Sequence, residues 1–187
     1  MPDASLSTTS QGSWVRVQRF DAALVAAGQW AYRTDPISAL TTLTTLTTAE
    51  RSGVVDILPW TASTLLVLER ELGGSFIPDF RSRLYGVDVA AASDVSALAS
   101  LTGGGFTPLA KTLLWQGDFG TSNFEGMTFG PTLADGWTSL LLVSDDGGGI
   151  RQDLYALAVV PEPSTWVMGA VGIACAIGTS FRASRRC

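Results

Sequence analysis

Short apolar runs of strand length recur along most of this chain, and glycine-rich turn signals separate them. Runs of this length that are rich in β-branched, leucine and aromatic residues are typical of β-strands. No long amphipathic helix pattern interrupts them before residue 160. The pattern predicts nine strands, at Trp14–Phe20, Trp30–Thr34, Val54–Leu58, Thr64–Glu69, Arg83–Ala90, Thr112–Gln116, Phe124–Gly130, Ser139–Ser144 and Asp153–Val160.

One segment, from Ser38 to Glu50, does not fit the strand pattern. Its leucines are spaced by three within a threonine-rich run, and threonine is a poor helix former. We expect a surface loop or a short irregular helix there. Elsewhere, glycine supplies the backbone conformations that tight turns need. The predicted turns are Gly73–Gly74, Gly103–Gly105, Asp135–Gly136 and Gly147–Gly149.

Two stretches repeat the same three-strand pattern. Leu65-Leu66-Val67 and Leu140-Leu141-Leu142 begin similar strands, and Leu84-Tyr85 and Leu154-Tyr155 open the strands that follow them. Two such meanders at a nearly constant offset predict successive blades of a β-propeller, with the segment between them supplying a fourth strand. Chance repetition of Leu-Tyr is the alternative.

The C-terminus has a different character from the rest of the chain. Val160 is followed by Pro161-Glu162-Pro163, then an uncharged stretch rich in small residues, then Arg182, Arg185 and Arg186. The low-charge span approaches the roughly 20 residues of a membrane helix. Basic residues that flank such a helix stay in the cytoplasm. The pattern therefore predicts a transmembrane helix at about 164–181, with the preceding chain outside the cell.

This order of motif, helix and arginine cluster resembles the PEP-CTERM sorting signal. The resemblance implies recognition of Pro161, Glu162 and Pro163 by an exosortase, a membrane enzyme that removes the tail bearing Arg182, Arg185 and Arg186. An ordinary C-terminal membrane anchor is the alternative. Together with the strand pattern, this gives an all-β fold class: partial β-propeller-like meanders, as the C-terminal blades of a larger propeller, plus one transmembrane helix.

The predicted domain organisation has three parts: a polar N-terminal segment 1–13, a propeller portion 14–160 and the sorting signal 161–187. The first segment has neither a basic region nor an apolar one, so it is not a signal peptide. A sorting signal that lies outside the cell nevertheless requires export. We therefore expect either that the C-terminal helix inserts by itself or, preferably, that an N-terminal portion is missing.

Composition excludes several classes of function. The net charge of −5 argues against a nucleic-acid partner, because no basic stripe exists outside the terminal cluster. The chain contains no histidine, which excludes a Ser-His-Asp triad and removes the usual zinc ligand. Its two cysteines, Cys175 and Cys187, lie in the tail and cannot crosslink the globular part.

Five pieces of sequence resemble, in order, the phytase-like family labelled "esterase-like activity of phytase". The resemblance spans roughly 16–159 and looks like the C-terminal half of that domain. It implies a propeller with more blades than this chain supplies, and a phosphoesterase activity. After Ser144-Asp145 the chain departs from the family pattern, because Asp146 and three glycines follow. The pieces are Leu65–Arg70, Arg83–Asp88, Lys111–Leu114, Asn123–Met127 and Leu140–Asp146.

Calcium-assisted hydrolysis of phosphate esters is chemically allowed for this set of residues. Calcium takes oxygen ligands, and cationic side chains bridge phosphates. We expect Glu125, Asp145 and Arg70 as catalytic residues, and Arg70 and Lys111 as substrate-binding residues. The predicted calcium ligands are Glu69, Asn123, Glu125, Asp145 and Asp146.

Each of these residues also has a structural interpretation. Asp145 and Asp146 precede glycines and suit a plain turn, while Asn123 and Glu125 suit a strand cap or a contact between blades. Glu69 and Arg70 suit a solvated ion pair or an ion pair between blades, and Lys111 suits the surface.

Three functions therefore stay open. The first is an envelope phosphoesterase. The second is a noncatalytic extracellular protein associated with exopolysaccharide, and the third is a truncated remnant. In all three, the sequence predicts location in the bacterial cell envelope or on its outer surface.

Overall fold

The computed structural model describes residues 7, 11–37, 52–74, 78–145 and 152–159. Within these residues the chain forms strands and turns only. The nine strands are β1 (Trp14–Phe20), β2 (Ala26–Arg33), β3 (Ser52–Pro59), β4 (Thr64–Gly74), β5 (Pro78–Asp88), β6 (Ala110–Asp118), β7 (Asn123–Thr132), β8 (Thr138–Asp145) and β9 (Leu154–Val159).

The strands form three antiparallel sheets in chain order. β1 pairs with β2, the strands β3-β4-β5-β6 form a four-stranded sheet, and β7-β8-β9 form a three-stranded sheet. Every pairing joins strands that are neighbours in sequence, as antiparallel pairing permits. The two meanders inferred from the repeated pattern are thus present, in β3-β4-β5 and in β7-β8-β9.

The four-stranded sheet is the middle layer, because both of its faces are covered. Successive side chains of a strand point to opposite faces, and β4 alternates accordingly. Leu66 and Leu68 join an apolar core with Phe124 and Leu140 of the three-stranded sheet. Val67 lies in a second core, which includes Val17 and Tyr32 of the β1-β2 sheet.

The connection between β5 and β6 covers the other side of the β1-β2 sheet. The backbone N–H groups of Val95 and Leu109 donate to the carbonyls of Gln29 and Ala31, at 2.8 and 2.9 Å. Val95 and Ala31 are buried in a third small core. This loop therefore holds β2 against the rest of the molecule, which matters because a two-stranded sheet is only marginally stable alone.

The predicted fold class needs correction. The all-β character is confirmed, but partial propeller-like meanders plus one transmembrane helix is not the observed architecture. The described residues form three separate antiparallel sheets without any helix. Within the described part of the chain, no helix has the length and hydrophobicity needed to cross a membrane. The predicted helix at about 164–181 lies outside the described residues, and so does the segment 38–50.

The strand predictions were correct in number and position within the described residues, and the chief differences are at the ends. Gly73–Gly74 was expected to form a turn, but both glycines continue β4 and pair with Asp79 and Pro78. The ladder is longer than the apolar run because backbone hydrogen bonding needs no apolar side chain. The turn predicted at Asp135–Gly136 is present, and Gly136 has a positive φ of 87° that favours glycine.

Candidate functional site

Lys111, at the start of β6, lies at the centre of a cluster of charged and aromatic side chains. Its ammonium group is 2.7 Å from Glu69 Oε1 and 2.7 Å from Asp35 Oδ1. The same group lies 4.2 Å from the centre of the Tyr85 ring and 5.0 Å from that of Tyr32. We call these five residues, Tyr32, Asp35, Glu69, Tyr85 and Lys111, the Lys111 cluster.

Two strands, β4 and β2, position the two carboxylates of this cluster. Glu69 is completely buried on β4, accepts a hydrogen bond from the Tyr32 hydroxyl at 2.5 Å and another from the backbone N–H of Asp35 at 2.9 Å. Asp35 follows β2 and accepts a hydrogen bond from the Tyr85 hydroxyl. Both oxygens of the buried Glu69 carboxylate therefore have a donor, as burial of a charge requires.

The environment shifts the pKa values of three members of the cluster. Burial, followed by the negative charge of Glu69 and the hydrogen bond to it, raises the pKa of Tyr32. Burial and the hydrogen bond to Asp35 raise the pKa of Tyr85. For Asp35, partial burial acts to raise the pKa, but the hydrogen bonds from Lys111 and Tyr85 outweigh it, and the pKa is lowered. At neutral pH the tyrosines are therefore hydrogen-bond donors and Asp35 is ionised.

A cleft of about 280 Å³ opens beside Lys111 and Asp35, and Arg33 and Thr34 of the β2 end also line it. The guanidinium carbon of Arg33 lies 5.0 Å from the centre of the Trp14 ring. The backbone of Arg33 pairs with Trp14 in the β1-β2 ladder, and its side chain makes no hydrogen bond among the described residues. This cleft, which we call the Lys111 cleft, thus has two cationic residues, Arg33 and Lys111, in its lining.

The second group of predicted residues lies on the opposite face of the four-stranded sheet. Arg70 Nη2 is 3.1 Å from Glu125 Oε1, and the Asn123 amide donates to the same oxygen at 2.7 Å. The guanidinium of Arg70 also lies over the Phe80 ring, with its carbon 5.5 Å from the ring centre. We call Arg70, Asn123 and Glu125 the Arg70 cluster.

Asp145 ends β8 directly opposite Asn123, because the two residues pair in the ladder between β7 and β8. Its side chain is exposed. Asp146 lies outside the described residues. The structure therefore brings Asp145 to the same end of the three-stranded sheet as the Arg70 cluster, and it keeps Glu69 away from both.

The predicted calcium ligands are consequently divided. Glu69 is on the face of β4 that contacts Lys111, whereas Glu125 contacts Arg70 beyond the other face. Among the described residues, no group of three or more acidic, histidine or cysteine side chains is placed to hold a metal ion. Glu69 and Glu125 are already paired with cations, and calcium binding stays a prediction.

Sequence reasoning found Glu69 and Lys111 but missed the three residues that complete their cluster, together with Arg33. In the sequence, Tyr85 stands out only as part of the repeated Leu-Tyr pair, and no local pattern marks Asp35 or Tyr32. The structural interpretation of Glu69 and Arg70 was a solvated ion pair or one between blades. The structure pairs Glu69 with Lys111 and Arg70 with Glu125, since adjacent residues of a strand face opposite sides.

Comparison with protein families supplies the identity of the domain. The chain matches the family described as "Phytase-like: Esterase-like activity of phytase" over residues 1–148 of its 187. The chain belongs to the phytase-like family. This confirms the family resemblance, and both the Lys111 cluster and the Arg70 cluster lie within the matched range of this phytase-like domain. Comparison with curated proteins and with solved structures gives no significant match.

Proposed function

We propose that this phytase-like domain binds and hydrolyses phosphate esters in the Lys111 cleft. The observation that carries the proposal is the pair of cations, Arg33 and Lys111, that line one cleft in a member of the family. A planar guanidinium with available N–H groups suits the geometry of a phosphate, and an ammonium group adds a second positive charge. The family description supplies the class of reaction.

The chemistry assigned to the cleft is attack of water on phosphorus. A P–O bond forms to the water oxygen while the bond to the alcohol oxygen breaks, and the alcohol leaves with a proton. Positive charge beside the phosphoryl oxygens stabilises the charge that develops in this step, and Arg33 and Lys111 supply it. Asp35 lines the same cleft in its ionised form and is the group that accepts the proton of the water.

The competing location for the reaction is the Arg70 cluster, where the sequence placed its catalytic residues. Glu125 is partly exposed and accepts two hydrogen bonds, and Asp145 lies at the same end of the sheet. Calcium, if bound there, would contribute charge stabilisation of the phosphate. If the roles predicted for Arg70, Glu125 and Asp145 hold, replacing Glu125 should abolish hydrolysis, whereas replacing Arg33 should not.

The test is release of inorganic phosphate from phytate and p-nitrophenyl phosphate by the purified full-length chain. Arg33→Gln should lower kcat/KM by about tenfold or more, as expected for loss of a charged hydrogen bond. Glu125→Gln is the matched control and should retain turnover. The reverse result would assign the reaction to the Arg70 cluster. No release by the folded wild-type chain would rule out hydrolysis.

A second candidate function is noncatalytic binding of phosphate esters or exopolysaccharide. It is favoured by one observation, that Lys111 is already held by both Asp35 and Glu69. Such a cluster suits binding more than turnover, because the Asp35 carboxylate is already held by Lys111 and Tyr85. Saturable binding of phytate without release of phosphate would support this function.

We further propose that the protein is exported and sorted to the bacterial cell envelope by an exosortase. The support is the order of Pro161-Glu162-Pro163 and the arginine cluster at 182–186, residues that lie outside the described part of the structure. In a host that encodes an exosortase, replacing the three motif residues with alanine should leave the tail attached. Immunoblots against the N-terminal part would then detect a heavier product than in wild type. Equal masses would contradict the proposal.

A further inference from the structure

A second and larger hollow lies between the β1-β2 sheet and the four-stranded sheet. Its volume is about 500 Å³, within the range of roughly 300–1,000 Å³ that is usual for small-molecule sites. One wall is formed by residues 16–20 of β1. The other is formed by the end of β3, the start of β4 and the turn between them. We call this hollow the β1 groove.

The floor of the β1 groove is apolar. Trp30, Ile57, Leu65 and Val89 line it, and each is only partly buried while packing on the core that contains Val17. Because these side chains retain exposed area beside a cavity, a ligand with an apolar body would remove further apolar surface from water.

The charge of the β1 groove is positive. Two arginines, Arg16 and Arg19, are among its lining residues, and no aspartate or glutamate is. This contrasts with the chain as a whole, whose net charge is −5. The nearby Asp94 accepts the backbone N–H groups of Gln29 at 3.3 Å and Ser96 at 2.8 Å, and its charge also interacts with Arg19. It therefore offsets part of the positive charge without lining the groove.

The two arginines have different roles. Arg16 is fixed in place, because its guanidinium donates to Gln29 Oε1 at 2.6 Å and to the carbonyls of Val95 and Leu98 at 3.2 and 2.9 Å. Arg19 lies over Trp30, with its guanidinium carbon 5.4 Å from the ring centre, and its Nη2 donates to the carbonyl of Ala27 at 2.8 Å. The other N–H groups of Arg19 have no hydrogen-bond partner among the described residues.

We propose that the β1 groove binds a small molecule with a flat apolar body and one anionic group, such as an aromatic carboxylate. The body packs against Trp30 and the aliphatic floor, where stacking on an aromatic ring is favourable. The anionic group pairs with the available N–H groups of Arg19, and Arg16 adds positive potential. This site is separate from the Lys111 cleft, and its ligand does not depend on phosphate chemistry.

Calorimetric titration of the full-length chain with 2-naphthoate tests the proposal, with the uncharged 2-naphthamide as matched ligand. Wild type should bind one naphthoate saturably and naphthamide about tenfold more weakly, because a charged hydrogen bond is lost. Arg19→Gln should weaken naphthoate about tenfold and leave naphthamide unchanged. Ala62→Phe, in the turn that lines the groove, should weaken both ligands by occupying the hollow.

Arg33→Gln is the control, because Arg33 makes the same kind of contact with Trp14 outside the β1 groove. It should bind both ligands as wild type does. The proposal is overturned if folded wild type shows no saturable binding, or if neither Arg19→Gln nor Ala62→Phe changes it. Loss of binding in Arg33→Gln alone would place the ligand in the Lys111 cleft and would equally overturn it.

Discussion

The ammonium group of Lys111 lies 2.7 Å from Oε1 of Glu69, a residue whose side chain is completely shielded from solvent. Lys111 itself retains 19% of its side-chain exposure and reaches the cleft. One partner of this ion pair, Glu69, is therefore buried in the protein interior, and the other, Lys111, lines the candidate site. A change at either residue should affect both the stability of the fold and the charge of the cleft.

Removal of the Lys111 charge should destabilise the protein strongly. Lys111→Met leaves Glu69 buried without its cation, and loss of one partner of a buried pair costs about 3–5 kcal/mol. Urea unfolding followed by tryptophan fluorescence measures the effect. The double variant Lys111→Met/Glu69→Gln removes both charges and should recover at least half of the loss. A single-variant loss below about 1 kcal/mol, typical of an exposed pair, would contradict the burial of this pair.

The two buried tyrosines should make stability fall at high pH. The pKa values of Tyr32 and Tyr85 are raised in the folded state, so the unfolded chain loses protons first, near the ordinary tyrosine value of about 10. Their stabilising contribution is complete below that pH and declines as the pH rises above it. Unfolding free energies measured from pH 8 to above pH 10 should show this decline. The fall of the unfolding free energy with pH should be smaller in Tyr85→Phe. An unchanged fall would argue against Tyr85 as one of its causes.

Two ion pairs on β5 should differ in their contribution to stability. Arg83 Nη2 lies 2.6 Å from Glu71 Oε2, and their side chains are 6% and 0% exposed. Glu71→Gln should cost about 3–5 kcal/mol, because Arg83 then lacks its buried counter-ion. Asp118, which pairs with Arg81, is 56% exposed, and Asp118→Asn should cost at most about 1 kcal/mol. Comparable losses in the two variants would refute the distinction.

Gly12 should not tolerate a larger residue. A Cβ atom at this position would lie 1.6 Å from the carbonyl oxygen of Thr34, so the backbone beside the Lys111 cleft would have to move. Gly12→Ala should destabilise by about 1–3 kcal/mol, as overpacking does. At Gly53 a Cβ atom meets nothing within 4 Å, so Gly53→Ala is the control and should be close to neutral. Thermal unfolding of the two variants distinguishes them.

Much of the fold was predictable because its signals are local. The nine strands coincide with apolar runs, and the β7-β8 turn falls on Asp135–Gly136. Strand ends were less predictable, as at Gly73–Gly74, because a ladder extends wherever backbones can pair. The fold class was wrong in combining propeller-like meanders with a membrane helix, since the described residues form three antiparallel sheets and no helix.

The candidate site was predictable only in part, because it depends on how the sheets pack. Glu69 and Lys111 stand out as charges within apolar strands, which is a signal available from sequence. Tyr32 and Asp35 reach them only because the β1-β2 sheet covers one face of the four-stranded sheet. The spacing of residues in a single sequence does not reveal which residues of separate sheets contact one another.

Binding of inorganic phosphate to the full-length chain tests the central claim most directly, since phosphate is a product of the proposed reaction. Calorimetric titration of wild type should give saturable binding with one phosphate per chain. Arg33→Gln should weaken it about tenfold, while Glu125→Gln should bind as wild type does. Absence of binding, or loss in Glu125→Gln with full binding in Arg33→Gln, would contradict the assignment of the site to the Lys111 cleft.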